Sequence, residues 1–245
     1  DWDTALPLSS DGAVHGSGAA SLGVMWRWRA ITPDDADRNG RWRTGLAAHE
    51  ISHALGLSMH AVRASYVAAR EVLRSLVAEW AGTLPSEVRL ERTPLGALYL
   101  PDYPLASCSL SHTSGVVMAT LRPNGPVGVD LETISRPIGD LGALIGMACT
   151  ESEQVALAAL PSDLRHRHFL TIWTGKEAVL KGLGLGLSVD PRDVAVHQVE
   201  QSPSWARWHR PRPGAADLWQ LERIYEIPDH VATVAVPQCE TLHRG

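Results

Sequence analysis

GVDLE at Gly128–Glu132 and, 45 residues further on, WTGKEAVLKGLG at Trp173–Gly184 decide how this chain is read. In the first, Asp130 and Glu132 are two positions apart, so on a strand both carboxylates face the same way. The second reads as a helix with Glu177 and Lys181 one turn apart on one face and Lys176 beside them. Three carboxylates next to two lysines suit a divalent metal that holds a phosphate ester. Magnesium takes carboxylate and phosphate oxygens, and lysine supplies a mobile cation for the remaining charge. Alone, each motif has a blander meaning: a solvated strand edge, or a surface i,i+4 pair worth about 0.2–0.5 kcal/mol. Trp173, with Phe169 and Ile172, reads as core packing on the inner face of that helix.

Outward from these motifs the elements alternate. Residues 1–20 are rich in Gly, Ser and Ala and are expected to be a flexible lead-in. GVMWRWRA (Gly23–Ala30) is strand-like, and Leu46–Trp80 predicts two helices divided near Gly56–Ser58. In the second of them Val62, Tyr66, Ala69, Val72, Leu73, Leu76 and Val77 recur at helical spacing, with Arg63, Arg70 and Arg74 on other faces. Leu98–Leu121 alternates strand patterns with turns at Pro101–Pro104 and Thr113–Gly115. RPNGP (Arg122–Pro126) predicts a hairpin, because Asn-Gly supplies positive φ angles. A capping box at Thr150–Glu153 announces a helix. Another, roughly Arg165–Lys181, stops at glycines 182, 184 and 186, and HVATVAV (His230–Val236) closes the chain as a strand. An α+β fold follows.

At 245 residues, with 44% hydrophobic and 20% charged residues and a net charge of −5, the composition fits a globular enzyme. It offers no broad basic surface for nucleic acid, so an anionic substrate needs a local cationic cluster. Three cysteines without a CxxC pair fit a reducing cytoplasm. No apolar run approaches the ~20 residues needed to span a bilayer, and the polar start is unlike a signal peptide.

The order GVDLE, then W-x-x-K-E-A-x-x-K-x-x-G-x-G, resembles the two signature motifs of the 4′-phosphopantetheinyl transferases. The similarity is to their larger single-chain type, which serves carrier proteins of nonribosomal peptide and polyketide synthases. SLSHTSG (Ser109–Gly115) resembles the family's Ser-His strand, and Leu46–Arg74 resembles its N-terminal helical pattern. The resemblance implies two similar α+β halves, residues 21–125 and 126–245, about a pseudo-twofold axis with the active site in the cleft between them. It implies a monomer, with coenzyme A as substrate and an apo carrier protein as acceptor. Asp130, Glu132 and Glu177 would hold Mg²⁺, Lys181 and Lys176 would neutralise phosphate charge, and His112, with Ser111 beside it, would contact the 3′-phosphate. Glu177 is either the general base or only a metal ligand. The family's Gly-Lys-Pro is here Gly96-Ala97-Leu98 and a commonly basic helix position is Gly56, so His60, Arg63, Arg70 and Arg92 are the candidates to complete the phosphate site. Carrier contacts are expected around Ile134–Met147.

HEISHALGLSMH (His49–His60) contains a competing motif, because H-E-x-x-H on a helix is the zincin signature. The third histidine, His60, arrives one residue late for the longer metzincin pattern. A zinc peptidase using His49, Glu50 and His53 is therefore one alternative, and a surface amphipathic helix carrying those residues is the bland one. A catalytically inactive coenzyme A or carrier-protein binder is the other functional alternative.

Overall fold

The computed structural model describes residues 15–20, 22–113, 115–185, 188–199, 203–210 and 216–238. The lead-in expected at 1–14, the stop glycine Gly186 and Cys239 lie outside them. The first half of the chain builds β1 (His15–Ala20), β2 (Val24–Ala30), α1 (Ala48–Gly56) and α2 (His60–Ala81), then the two-residue strands β3 (Glu91–Arg92) and β4 (Leu98–Tyr99), and β5 (Ser107–Thr113) and β6 (Val116–Arg122). Their four-stranded antiparallel sheet has the order β1-β2-β6-β5. The second half builds β7 (Gly128–Thr133), α3 (Leu141–Ala148), α4 (Glu151–Ala158), α5 (Ser162–Gly182), β8 (Val194–His197), β9 (Ser204–Trp208), β10 (Leu218–Ile224) and β11 (His230–Pro237). Their five-stranded antiparallel sheet runs β7-β11-β10-β9-β8. Mixed helix and antiparallel sheet make the fold α+β.

Each sheet carries one long helix. Val72, Leu73, Leu76 and Val77 of α2 pack on Val117, Ala119 and Leu121 of β6. Phe169, Ile172, Val179 and Leu180 of α5 pack on Val196, Trp219, Leu221 and Ala235. A third core, with Met118, Val129, Leu131 and Val234, fills the space where the sheets meet. At that seam the hydroxyls of β5 bridge to β7. Ser107 and Ser109 accept from the amides of Val127 and Val129, and the Thr113 hydroxyl lies 3.1 Å from that of Thr133. Because strand side chains repeat every second residue, a run of alternating hydroxyls lays one polar edge along the neighbouring strand.

Three sequence expectations change. Residues 15–20, read as lead-in, form β1: Gly16 and Gly18 face the rings of Trp28 and Trp26, which occupy the space where a Cβ would stand. RPNGP does turn, with Gly125 at φ +91°, but it closes no hairpin. Both edges of β6 are already taken by β2 and β5, so the chain crosses to the second sheet as β7. The arginines of α2, read as lying off its apolar face, are nonetheless buried: Arg63, Arg70 and Arg74 are 1%, 6% and 0% exposed. The division into α1 and α2, the capping box at Thr150 and the stop at Gly182–Gly184 stand as read, with Gly184 at φ +69°.

Candidate active site

β7 and α5 meet at a point of unusually close approach. An ideal Cβ on Gly128 would lie 1.8 Å from the carbonyl oxygen of Ala178, and one on Gly182 would lie 2.6 Å from the Trp219 ring. Backbone against backbone brings the next residues of each element together. Lys181 Nζ donates to Asp130 Oδ1 at 2.7 Å and to the Ser111 hydroxyl at 3.0 Å, and Ser111 in turn donates to Asp130 Oδ1 at 2.9 Å. Trp173 Nε1 donates to Glu132 Oε1 at 3.3 Å while its ring stacks on Phe169. Trp173 therefore orients a carboxylate as well as filling the core.

Glu177 is 7% exposed, and burial first, then Asp130, pushes its carboxyl up to about 7. Burial and the Asp130 charge also raise Glu132. These are the marks of carboxylates crowded into low dielectric with too little positive charge. Asp130 Oδ2 and Glu177 Oε1 are buried without a hydrogen-bond partner.

From this corner a cleft of about 1060 Å³ runs back to the first half. Asp130, Glu132 and Lys181 of β7 and α5 line it together with Ser111 and exposed His112 of β5, and so do His53, Tyr66 and Arg70 of the first two helices and Arg92 of β3. Arg70 lies over the Tyr66 ring at 5.3 Å with its Nη1 unpartnered, and Nε is 3.5 Å from Glu50. Arg92 donates to Gly96 O at 2.7 Å, and its pKa is lowered by burial and by the neighbouring Arg70. Two cations that repel one another at the wall of a cleft suit an anion.

Asp130, Glu132, Glu177, Lys181, Ser111, His112, Arg70 and Arg92 thus fall on or beside one cleft. Three candidates do not. Lys176 is fully buried, paired with Glu153 and bonded to the carbonyls of Pro191 and Val194, so it does not reach the cleft. Arg63 is fastened to the carbonyls of Ala36, Ala54 and Leu57, where it closes the end of α1 onto α2. His60, on the first turn of α2, is exposed and does not line the cleft. The sequence reading did not place Tyr66 or His53, whose rings lie 4.7 Å apart, on this cleft, and it missed the Ser107–Ser109 bridge, which alternating hydroxyls at 107, 109, 111 and 113 announce.

The zinc reading fails on Glu50. Its carboxylate is 2% exposed and turned into the core, 2.5 Å from Arg74 Nε, whereas His49 and His53 sit on the exposed side of α1. A general base cannot serve a metal from there. Glu50 is thereby also not the surface residue that the bland reading expected. Among the described residues no group of three His, Cys, Asp or Glu side chains forms a ready-made metal cage, and no helix is long and apolar enough to cross a membrane.

Residues 126–235 match the family model of the 4′-phosphopantetheinyl transferase superfamily. The 4′-phosphopantetheinyl transferase HetI of Nostoc sp. is 27% identical over 195 residues, 78% of each chain. A phosphopantetheinyl transferase of Thraustochytrium sp. is 29% identical over 217 residues, 83% of this chain and 74% of that one. The 4′-phosphopantetheinyl transferase Sfp of Bacillus subtilis is 26% identical over 154 residues, 58% of this chain and 67% of that one. With the two signature motifs, these matches show a 4′-phosphopantetheinyl transferase superfamily domain at residues 126–235, and over most of its length the chain is similar to transferases of the larger single-chain type.

Proposed function

We propose that this transferase moves the 4′-phosphopantetheine arm of coenzyme A onto a serine hydroxyl of an apo acyl or peptidyl carrier protein, releasing adenosine 3′,5′-bisphosphate. The observation that carries the reading is one cleft lined both by Arg70 of α2 and Arg92 of β3 and by Asp130 of β7 and Lys181 of α5, with Glu177 beside them. Coenzyme A is an anion at both matching places, a 3′-phosphate on the ribose and a pyrophosphate at the bond to be broken. In this assignment Arg70, Arg92 and His112 hold the 3′-phosphate and Lys181 holds the pyrophosphate. The residues 21–125 and 126–245 are the two halves, related by an approximate twofold, each offering one long helix packed on an antiparallel sheet.

The donor set fits Mg²⁺. Two buried carboxylate oxygens lack a partner, and a third carboxylate, Glu132, stands close enough to add to the raised pKa of Glu177. Substrate phosphates and waters complete the shell of Mg²⁺, so no preformed protein cage is required. Asp130, Glu132 and Glu177 would hold it, and bound there it would screen the charge that builds on the pyrophosphate oxygens.

The serine oxygen forms a bond to the phosphorus of the phosphopantetheine phosphate, the P–O bond to adenosine bisphosphate breaks, and the electron pair leaves with that group. The serine proton needs an acceptor as this happens. Glu177 is the candidate for that role: burial and Asp130 raise its carboxyl, and a bound cation would bring it back to the ionised form that accepts a proton. Ser111 fixes Asp130 and Lys181 in one hydrogen-bonded triangle, so Lys181 meets the phosphate without searching for its rotamer. The acceptor is a carrier of secondary metabolism, reached over Ile134–Met147, and the enzyme works as a cytoplasmic monomer; the free, buried Cys108 and Cys149 suit a reducing compartment.

Mass spectrometry of apo carrier proteins incubated with enzyme, coenzyme A and Mg²⁺ tests the reading. A mass gain of one phosphopantetheine arm is expected, and no gain across a panel of carriers would overturn it. Coenzyme A binding without any gain would instead favour a binder without catalysis.

A further inference from the structure

Lys176 is fully buried, and a buried ammonium must have its protons bonded. It has three partners: Glu153 Oε2 at 2.7 Å, Pro191 O at 3.1 Å and Val194 O at 2.5 Å. Glu153, 5% exposed, accepts in addition from the amides of Thr150 at 2.7 Å and Val196 at 2.8 Å. One ion pair therefore ties α5 to the first turn of α4, to the turn at Pro191–Asp193 and to β8, the far edge of the five-stranded sheet. An apolar pair of the same volume commonly holds a fold as well or better. Stability alone does not account for a charge pair here, but direction does.

Successive residues on a helix are about 100° apart, from 3.6 residues per turn. With Lys176 fastened toward β8, Glu177 and Lys181 turn toward β7 at the opposite edge, where Asp130 stands. The other fastening is the backbone contact of Gly128 with Ala178 and Gly182. Between the two, the freedom left to α5 is a roll about its axis. A side-chain tip about 6 Å from that axis moves roughly 1 Å for a 10° roll, which is the tolerance a reacting group has.

We propose that Lys176, paired with Glu153, is a positioning residue that fixes the roll of α5 and so the aim of Glu177 and Lys181. The proposal rests on the transferase reading above for the reaction to be measured. It replaces the phosphate-binding role that the sequence suggested for Lys176.

The double variant Glu153→Gln, Lys176→Met removes the pair without leaving either charge buried alone, and is expected to fold. Lys176→Met by itself strands Glu153 and should unfold at a clearly lower temperature, most of which the double variant regains. Crystal structures of wild type and double variant are compared, together with steady-state transfer to a carrier protein. The Glu177 carboxylate should shift by about 1 Å relative to Asp130, from the lever arm given above. The kcat should fall at least about tenfold. The KM for coenzyme A should stay within about threefold, because Arg70 and Arg92 are on other elements. Glu177 unmoved, or kcat within about twofold of wild type, overturns the proposal. So does a double variant no more stable than Lys176→Met, since Lys176 would then serve the fold and not the aim. If the wild-type chain transfers nothing to any carrier, the transferase reading fails, and the displacement of Glu177 still decides this one.

Discussion

Replacing Gly128 by alanine tests whether the catalytic corner is set by backbone contact. Gly128 has no positive φ, so alanine suits its conformation, and the whole effect comes from the space. The added methyl would meet Ala178 O at 1.8 Å, Gly182 N at 2.6 Å and Ala178 C at 2.8 Å, all of them main-chain atoms of α5. None can rotate away as a side chain would. To reach even 3.0 Å from the carbonyl oxygen, helix and strand must separate by roughly 1.2 Å. Retreat at Gly182 is obstructed in turn by Trp219, which is itself almost wholly buried. Overpacking of this kind costs about 1–3 kcal/mol, or roughly 2–12 °C in Tm at 2–4 °C per kcal/mol for a chain of this length.

The same displacement stretches the Lys181–Asp130 contact from 2.7 Å beyond hydrogen-bonding distance. Misplacement by about 1 Å can cost on the order of 10²-fold in rate. Thermal unfolding and single-turnover transfer, measured on the same preparation, are therefore expected to show both losses in Gly128→Ala, with coenzyme A affinity much less affected. Gly146→Ala is the control for the thermal readout alone, because nothing lies within 4 Å of its would-be Cβ and it sits inside α3. Alanine there should leave Tm unchanged or slightly raised. Gly128→Ala with Tm within about 1 °C of wild type, below the smallest shift expected, and undiminished transfer would refute the argument.

Asp130→Ala and Glu177→Gln should each lower transfer by about two or more orders of magnitude while leaving the circular dichroism spectrum intact; near-normal rates would remove them from the mechanism. Glu177 also predicts a pH dependence. Its carboxyl titrates near 4.5 when unfolded and about 7 when folded, so the folded state holds the proton more tightly. Its contribution is complete below about pH 4.5 and is lost as pH rises to 7, and the loss should vanish in Glu177→Gln when unfolding is followed in EDTA. Mg²⁺, competing with that proton, should raise Tm more at pH 8 than at pH 6; equal shifts would place the cation elsewhere. Arg70→Leu or Arg92→Ala should raise the KM for coenzyme A by about tenfold or more with little change in kcat, and should affect 3′-dephospho-coenzyme A much less. Glu50→Ala should destabilise by about 3–5 kcal/mol, because it strands Arg70 and Arg74 in the core; elemental analysis should find no zinc that depends on His53.

The three arginines of α2 mark the boundary between what the sequence discloses and what it withholds. Arg63, Arg70 and Arg74 look alike to any local reading, as charges off the apolar stripe of a helix, and all three are buried. What permits burial lies outside α2: carbonyls at Ala36, Ala54 and Leu57 for Arg63, and Glu50 with the carbonyls of Pro85 and Val88 for Arg74. Only Arg70 of the three lines the cleft. Lys176 and Lys181 divide in the same way, for they share a helix and a signature motif, yet the partner of one is Glu153 and that of the other Asp130. Periodicity locates an element and spacing tells which residues share a face, and both were enough for Asp130, Glu132, Glu177 and Lys181. RPNGP shows the limit again: the turn is local chemistry and was legible, but its lack of a hairpin follows from β2 and β5 having filled both edges of β6. A charged residue in this chain therefore acquires its role from the group that neutralises it. Where both partners sit in recognisable motifs, as Lys181 and Asp130 do across 51 residues, the pairing can be read from sequence, and where the partner is a backbone carbonyl or the capping-box Glu153, only the folded chain reveals it.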